Sequence, residues 1–502
     1  MYAAVVSSTL SGTLGSPVTV EAHIGPGIPG FTVVGLPDEG CRESRDRVRA
    51  AMLSSGLSWP NRRITINLVG SGERRGGAGM DVAIAVALLV ASDVIAQSEV
   101  ANMAFIGELG LDGSIRPTHG IAPLVAAVSD HEVIVGNSAR EEAMLARPPC
   151  LRSVSTLGEL VAVLSHHQSW PDVETESPRI VDHDAPDMSD VRGQAAARLA
   201  LEVSAAGFHH LLMIGPPGAG KSMLAKRLPG LLPRLTDEEA FAVAMTRSAA
   251  GLSVTHELAS TPPFRAPHHS ISMAGMIGGG SSQLRPGEIT LASQGVLFLD
   301  EMGEFAPTVL DSLRQPLEDH VVRVSRAQHS VTMPAHFLLV AATNPCPCGS
   351  GTPLGCQCQP TAIQRYVRRF SGPLLDRFDV RVHLVRPSTA ELTSTQKSEC
   401  SASIAERVNG VHQLSLKRQG CVNSAITADM LDEVAPLDSE ALTFLRRQLD
   451  NATLTGRGYH RIRRVARTLA DLNGDDGVIC LRWVEAAMAL RSSVLSQPIR
   501  AQ

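Results

Sequence analysis

Residues 210–228 read HLLMIGPPGAGKSMLAKRL, and no other stretch of the chain restricts its fold as strongly. Leu211 to Ile214 are a short apolar run that predicts a buried strand; GPPGAGKS follows at 215–222, and an apolar-periodic helix begins at Met223. A strand that passes through a Gly-rich loop into a helix is the context a phosphate-binding loop requires. Gly215, Gly218 and Gly220 let the backbone turn tightly, so that its N–H groups converge on phosphate oxygens at a helix N-terminus, where the dipole also favours anions. Pro216, Pro217 and Ala219 complete the cradle. Lys221 is expected to reach the β- and γ-phosphates, and Ser222 to ligate Mg²⁺.

Two further apolar strands are predicted to end in polar groups. GVLFLDE at 295–301 ends in two carboxylates: Asp300 is placed to hold Mg²⁺ through water, and Glu301 to polarise the attacking water. FLLVAATN at 337–344 ends in an amide, Asn344, suited to sense the γ-phosphate and orient that water. Any one of these signals is weak alone. Together, in this order, they predict a P-loop ATPase whose cofactors are ATP and Mg²⁺.

A length of 502 residues predicts about three domains. The net charge of −5 gives no global attraction to nucleic acid, so any DNA binding must come from local basic surface. The first residues lack a basic n-region, and the longest apolar run, 82–91, is too short to span a bilayer. The expectation is a cytoplasmic protein without a membrane partner. Of nine cysteines, Cys41, Cys150, Cys400, Cys421 and Cys480 are scattered and read as ordinary reduced residues.

Residues 1–165 alternate strand-like runs at 18–22, 31–34 and 64–69 with a helix over 41–56 and a second, apolar nearly all round, over 81–91. This predicts a compact α/β domain. Residues 166–190 are polar, acidic and Pro-containing and read as a linker, with His166, His167 and His183 solvated rather than metal-bound. The nucleotide-binding core is expected over 191–385. Residues 386–502 read as a helical domain, with helices at 402–414, 438–451, 459–472 and 481–490.

RRGGAGMDVAIAVALL (74–89) and GELGLDGSIRPTHGIAPLVAA (107–127) resemble the Lon-type protease domain found at the N-terminus of magnesium-chelatase-like ATPases. In active members the first stretch holds a nucleophilic Ser and the second a Lys. The matched positions here are Ala78 and Ala122, and no Lys precedes Lys221, so acyl transfer of that type has no chemistry. The order of this domain, the phosphate loop, PFRAPHHSISMAGMIGGGSSQLRPGEI, GVLFLDE, NPCPCG and SGPLLDRFD closely resembles the ComM/YifB family of magnesium-chelatase-like AAA+ ATPases. The likeness covers nearly the whole chain. It implies an α/β fold with an N-terminal Lon-protease-like domain, an AAA+ P-loop NTPase core and a C-terminal helical lid. It also implies a ring, most readily a hexamer, and for ComM-like members a DNA motor that drives branch migration during recombination of incoming DNA. By the same resemblance Arg377 is the arginine finger that reaches a neighbouring subunit, the alternative being a surface salt bridge to Asp376 or Asp379. Among the arginines of 455–475, Arg457 is favoured slightly over Arg464 as the sensor-2 residue of the lid.

HVVRVSRAQHSVTMPAHF (320–337) has two alternating runs around a basic tip and predicts a hairpin. Arg323, Arg326 and His329 on it are candidates to grip the phosphate backbone of single-stranded or branched DNA; a purely structural hairpin is the alternative. Cys346, Cys348, Cys356 and Cys358 follow CxC, seven residues, CxC. They are candidate ligands for structural Zn²⁺, although the spacing departs from the commoner CxxC knuckles, and free or redox-active thiols are the alternative. Two functions follow: an ATP-driven DNA translocase or helicase, or a chelatase-type ATPase subunit that remodels a partner protein.

Overall fold

The computed structural model describes residues 1–34, 38–70, 78–172, 178–181, 185–255, 257–280, 284–326, 329–349, 356–370, 372–393 and 398–491. The chain is mixed α/β. Its N-terminal part carries a seven-stranded sheet in the order Gly30–Val34, Arg63–Gly70, Leu14–Gly25, Tyr2–Ser11, Met103–Phe105, Glu132–Gly136, Leu151–Val154. The two longest strands, Tyr2–Ser11 and Leu14–Gly25, pair antiparallel and send alternate residues such as Val18, Val20 and Ala22 into the core. Helix Asp81–Ala91 is buried along all eleven residues and packs on both strands, as its unbroken apolar composition predicts. Its one acid, Asp81, is satisfied by Ser44 Oγ at 3.0 Å and Arg47 Nε at 2.6 Å; burial still pushes its pKa up to about 6.

The position that the protease resemblance assigns to a catalytic Lys is closed off. Ala122, on helix Ile121–Ala126, is fully buried against Leu235, Ala240 and Ala244, the last two on helix Asp237–Ala249 of the ATPase part. Its backbone N–H donates to Ser248 Oγ at 3.3 Å, and the Arg147 guanidinium sits 3.5 Å from the centroid of the Phe241 ring. Ala78 opens the short turn Ala78–Met80, but its side chain lies outside the described residues.

The expectation of a plain linker over 166–190 needs correcting in its second half. Arg179–Val181 is a strand paired parallel with Glu257–Ala259, and Met188 is fully buried. Asp187 caps the turn Met188–Asp190 and also accepts the Ser401 N–H at 3.0 Å. Composition counted the charges of this stretch; the backbone pairing and one buried Met anchor it to the ATPase part. His183 lies outside the described residues.

The ATPase part is built on five parallel strands in the order Phe264–Arg265, Val296–Leu299, Leu338–Thr343, Leu211–Ile214, Val380–His383. In chain order this is 2-3-4-1-5, so the strand expected to carry the sensor amide lies directly beside the one that feeds the phosphate loop. Ligands of such sheets bind beyond the carboxyl ends of the strands, where those two loops meet.

Helices Ser401–Gln419, Ser439–Asp450, Gly456–Leu472 and Leu481–Ala489 make up the C-terminal part. They share one apolar core with Ala195–Gly207 and the central strands. A buried polar network ties the two parts together at the amino ends of the strands. Asp379 accepts Arg461 Nη1 at 2.6 Å and lies 3.3 Å from His209 Nδ1, while His209 Nε2 is 2.8 Å from Thr468 Oγ1. Burial opposes the charge on Asp379, but the His209 bond and the Arg461 charge outweigh it and hold the carboxyl below the usual range.

Candidate active site

The strand Leu211–Ile214 is buried at every position, which fixes the level at which residues 215–222 leave the sheet. Gly218 (φ +78°) and Gly220 (φ +90°) take left-handed conformations that other residues adopt only at a cost. The helix that follows, Lys221–Ala225, starts on Gly220. The loop folds around a cavity of about 340 Å³ lined by Gly218, Gly220, Lys221, Ser222, Asp300, Glu301, Thr343 and Asn344 among others. Residues predicted from three separate motifs therefore share one cavity.

Within it, the three N–H bonds of the Lys221 ammonium reach Gly215 O at 2.6 Å, Pro216 O at 3.1 Å and Asn344 Oδ1 at 3.0 Å. The cation is thus held in place before any ligand arrives. Burial lowers its pKa, and the charges of Asp300 and Glu301 act against that shift. Ser222 Oγ donates to Asp300 Oδ2 at 2.5 Å. That bond brings together two hard oxygen groups of the kind that hold Mg²⁺. The Glu301 side chain is 58% exposed, so water reaches its carboxylate, and its backbone is left-handed (φ +51°).

Family comparisons agree with this geometry. The family described as "Magnesium chelatase, subunit ChlI" matches residues 187–392, "Subunit ChlI of Mg-chelatase" matches 20–138, and "Magnesium chelatase, subunit ChlI C-terminal" matches 398–491. The chain is 39% identical over 494 residues to Competence protein ComM of Haemophilus influenzae, covering 97% of each chain. The chain belongs to the ComM/YifB family of magnesium-chelatase-like AAA+ ATPases. It is also 38% identical over 481 residues to the uncharacterized protein YifB of Escherichia coli, covering 95% of this chain and 94% of that one. A weaker likeness, 26% over 198 residues, joins 39% of this chain to 26% of "Probable DNA helicase MCM9" of Arabidopsis thaliana.

Other positions expected of a ComM/YifB-family ATPase lie away from the cavity. Arg377 pairs with Glu318 of helix Pro316–Asp319, and its side chain is 11% exposed. The partners weighed from sequence are otherwise engaged: Asp379 by His209 and Arg461, and Asp376 by Arg381 at 3.9 Å. Arg457 is exposed on the first turn of Gly456–Leu472, and neither it nor Arg464 lines the cavity. In the same helix Arg463 and Arg467 are buried and bonded within the lid, to Leu431 O and Ala435 O and to Asp471 respectively.

The 320–337 stretch does form a hairpin, Val321–Arg326 with His329–Pro334. Val322, Val331 and Met333 face the core, whereas Arg323, Ser325, Ser330 and Thr332 face solvent. The side chains of Arg326 and His329 lie outside the described residues. The sulfurs of Cys346, Cys348, Cys356 and Cys358 converge within 4.8 Å of one another.

Three neighbours of the cavity escape a sequence reading. His269 Nδ1 sits 3.7 Å from Glu301 Oε2, Gln194 Nε2 donates to Ala219 O at 3.1 Å, and Arg386 Nε donates to Pro217 O at 3.3 Å. His269 belongs to the FRAPHHS stretch, whose unusual spelling was the one available signal. Gln194 and Arg386 carry none.

Proposed function

We propose that the protein is a ring-forming ATP hydrolase that couples turnover to movement on DNA, in branch migration during recombination or natural transformation. The observation that carries the ATPase reading is the joint position of Lys221, Ser222, Asp300, Glu301 and Asn344 around one cavity. In this reading Lys221 binds the β- and γ-phosphates and releases its loop carbonyls to do so. Ser222 and Asp300 hold Mg²⁺, which supplies charge neutralisation on the phosphates when bound. Glu301 takes a proton from the attacking water, and Asn344 orients that water.

The DNA reading is supported by the names of two relatives, a competence protein and a "Probable DNA helicase", and by the solvent face of the hairpin. With a net charge of −5 the attraction has to be local, and Arg323 with Arg326 is the local source. Replacing both by Ala is expected to weaken binding to all sequences alike. It should also lower the slope of log affinity against log salt by about 0.9 per lost contact on duplex, or about 0.7 on single strands. A filter-binding titration at several salt concentrations measures this, with turnover in the absence of DNA as the control for folding. Unchanged affinity and slope would make the hairpin structural and move the search to the FRAPHHS stretch, where Arg265 is bonded bidentately to Glu288 at 2.7 Å.

A second reading, a chelatase-type subunit that remodels a partner protein, is favoured by the three matching family descriptions. Stimulation of ATP turnover by single-stranded or branched DNA separates the two. A motor on DNA is stimulated; a remodelling subunit is not.

A further inference from the structure

We infer that Cys346, Cys348, Cys356 and Cys358 hold one Zn²⁺, and that this metal site fixes Asn344 against the phosphate loop. The metal part stands on its own geometry; the positioning part rests on the reading of Asn344 as the γ-phosphate sensor.

Four thiolates around one zinc at about 2.3 Å form a tetrahedron whose edges are about 3.8 Å. Sγ of Cys346 lies 3.3 Å from that of Cys348, Cys348 lies 3.7 Å from Cys356, and Cys356 lies 3.7 Å from Cys346. All four fall within 4.8 Å of one another. These separations suit a single ion and are too short for sulfurs spread over the irons of a cluster. They also far exceed the length of a disulfide bond. Apolar packing does not explain the convergence either. Free cysteines gather in cores, yet here only Cys346 is buried, Cys348 is exposed, and Cys356 and Cys358 are intermediate. A donor set made only of soft sulfurs selects Zn²⁺ over the hard Mg²⁺ of the nucleotide cavity.

The short CxC spacing, an objection at the level of sequence, is met by a turn. The Gly349 N–H donates to Cys346 O at 2.9 Å, which folds the chain back so that two thiols one residue apart point the same way. Gly349 has φ +77°, and a Cβ there would lie 2.8 Å from Pro217 Cδ, so the cysteine turn rests directly on the phosphate loop.

Its other attachments lead to the sensor. Cys346 follows Asn344 by two residues at the end of strand Leu338–Thr343. Cys358 leads into helix Pro360–Arg369, whose Tyr366 hydroxyl lies 2.9 Å from Thr343 Oγ1, and Thr343 lines the cavity. A metal joining both cysteine pairs therefore ties the two ends of the 346–358 segment to the sensor strand. Without it, the turn that follows Asn344, whose amide meets Lys221 at 3.0 Å, loses its tie to helix Pro360–Arg369 through Cys356 and Cys358.

The test uses the purified full-length chain. Elemental analysis is expected to find about one zinc per chain, and Cys348→Ser or Cys356→Ser to lose most of it. In both variants kcat for ATP should fall about tenfold or more while KM changes little, because the sensor acts on the attacking water. Cys348→His, which keeps a zinc ligand, should recover metal and turnover together. Should the Ser variants fail to fold, removing the metal from the wild-type chain with a mercurial, stripping the mercurial with excess dithiothreitol and restoring Zn²⁺ gives the same readout. Absence of zinc, or iron in its place, overturns the metal assignment. Loss of zinc with unchanged kcat, or a rise in KM alone, overturns the positioning role. A wild-type chain that binds zinc but hydrolyses no ATP overturns the sensor reading and leaves the metal site standing.

Discussion

Glu301→Gln chains are expected to bind ATP with nearly wild-type affinity and to turn it over about 10²- to 10⁴-fold more slowly, the range for loss of a positioned general base. Gln matches Glu in shape, so the left-handed backbone at this position and the neighbouring bond from the Glu301 N–H to Asp300 Oδ1, 2.9 Å, are kept. What is lost is the ability to accept a proton. Lys221→Ala removes a half-buried cation that already makes three bonds inside the loop, and it should abolish nucleotide binding. The two variants therefore separate binding from chemistry. Equilibrium binding of a fluorescent ATP analogue, alongside steady-state phosphate release, measures both. Normal turnover in Glu301→Gln would sink its assignment as the base.

Arg377→Ala is expected to reduce turnover about 10³- to 10⁵-fold, as trans arginines do in comparable NTPases. Action in trans is expected from the residue's position. The strand Val380–His383 pairs with Leu211–Ile214 in register, and the phosphate loop leaves at the Ile214 end. Arg377 lies before Val380, at the opposite end, which puts roughly 10 Å of strand between it and the level of its own loop. Its pairing with Glu318 holds it at that end, and action on a neighbouring subunit requires that pair to open. Mixed equally with Glu301→Gln chains, Arg377→Ala chains should regain activity. In a head-to-tail ring an interface is intact when one subunit supplies Glu301 and the next supplies Arg377, so random mixing leaves about a quarter of the interfaces complete. Absence of rescue, once mixing into shared rings has been demonstrated by mass, counts against the trans role.

The two cases mark how far contiguous sequence reaches. Glu301, Lys221 and Asn344 were each legible because a buried strand next to a polar terminus is a local pattern, and burial dictates apolar residues up to the last position before the loop. Helix Asp81–Ala91 and the hairpin Val321–Pro334 were legible for the same reason, one from an unbroken apolar run and the other from period-two alternation. The apparent linker was misread because strand Arg179–Val181 takes its partner from Glu257–Ala259, far along the chain. Arg457, favoured as a sensor on motif position, lies exposed and off the cavity wall.

By itself the sequence determined the strand-loop-helix unit, the acid and amide strand ends, and the family, since all of these are written in contiguous residues. Only the tertiary structure decided that strand Leu338–Thr343 lies between the other two, which brings Asn344 to 3.0 Å from Lys221. It also decided that His269 faces Glu301, that Ala122 is covered by an ATPase helix, and that four cysteines at an awkward spacing meet. The physical reason is common to all of them. Sheet order and turn geometry are set by packing between segments tens to hundreds of residues apart, and no local period or composition encodes which segments those will be.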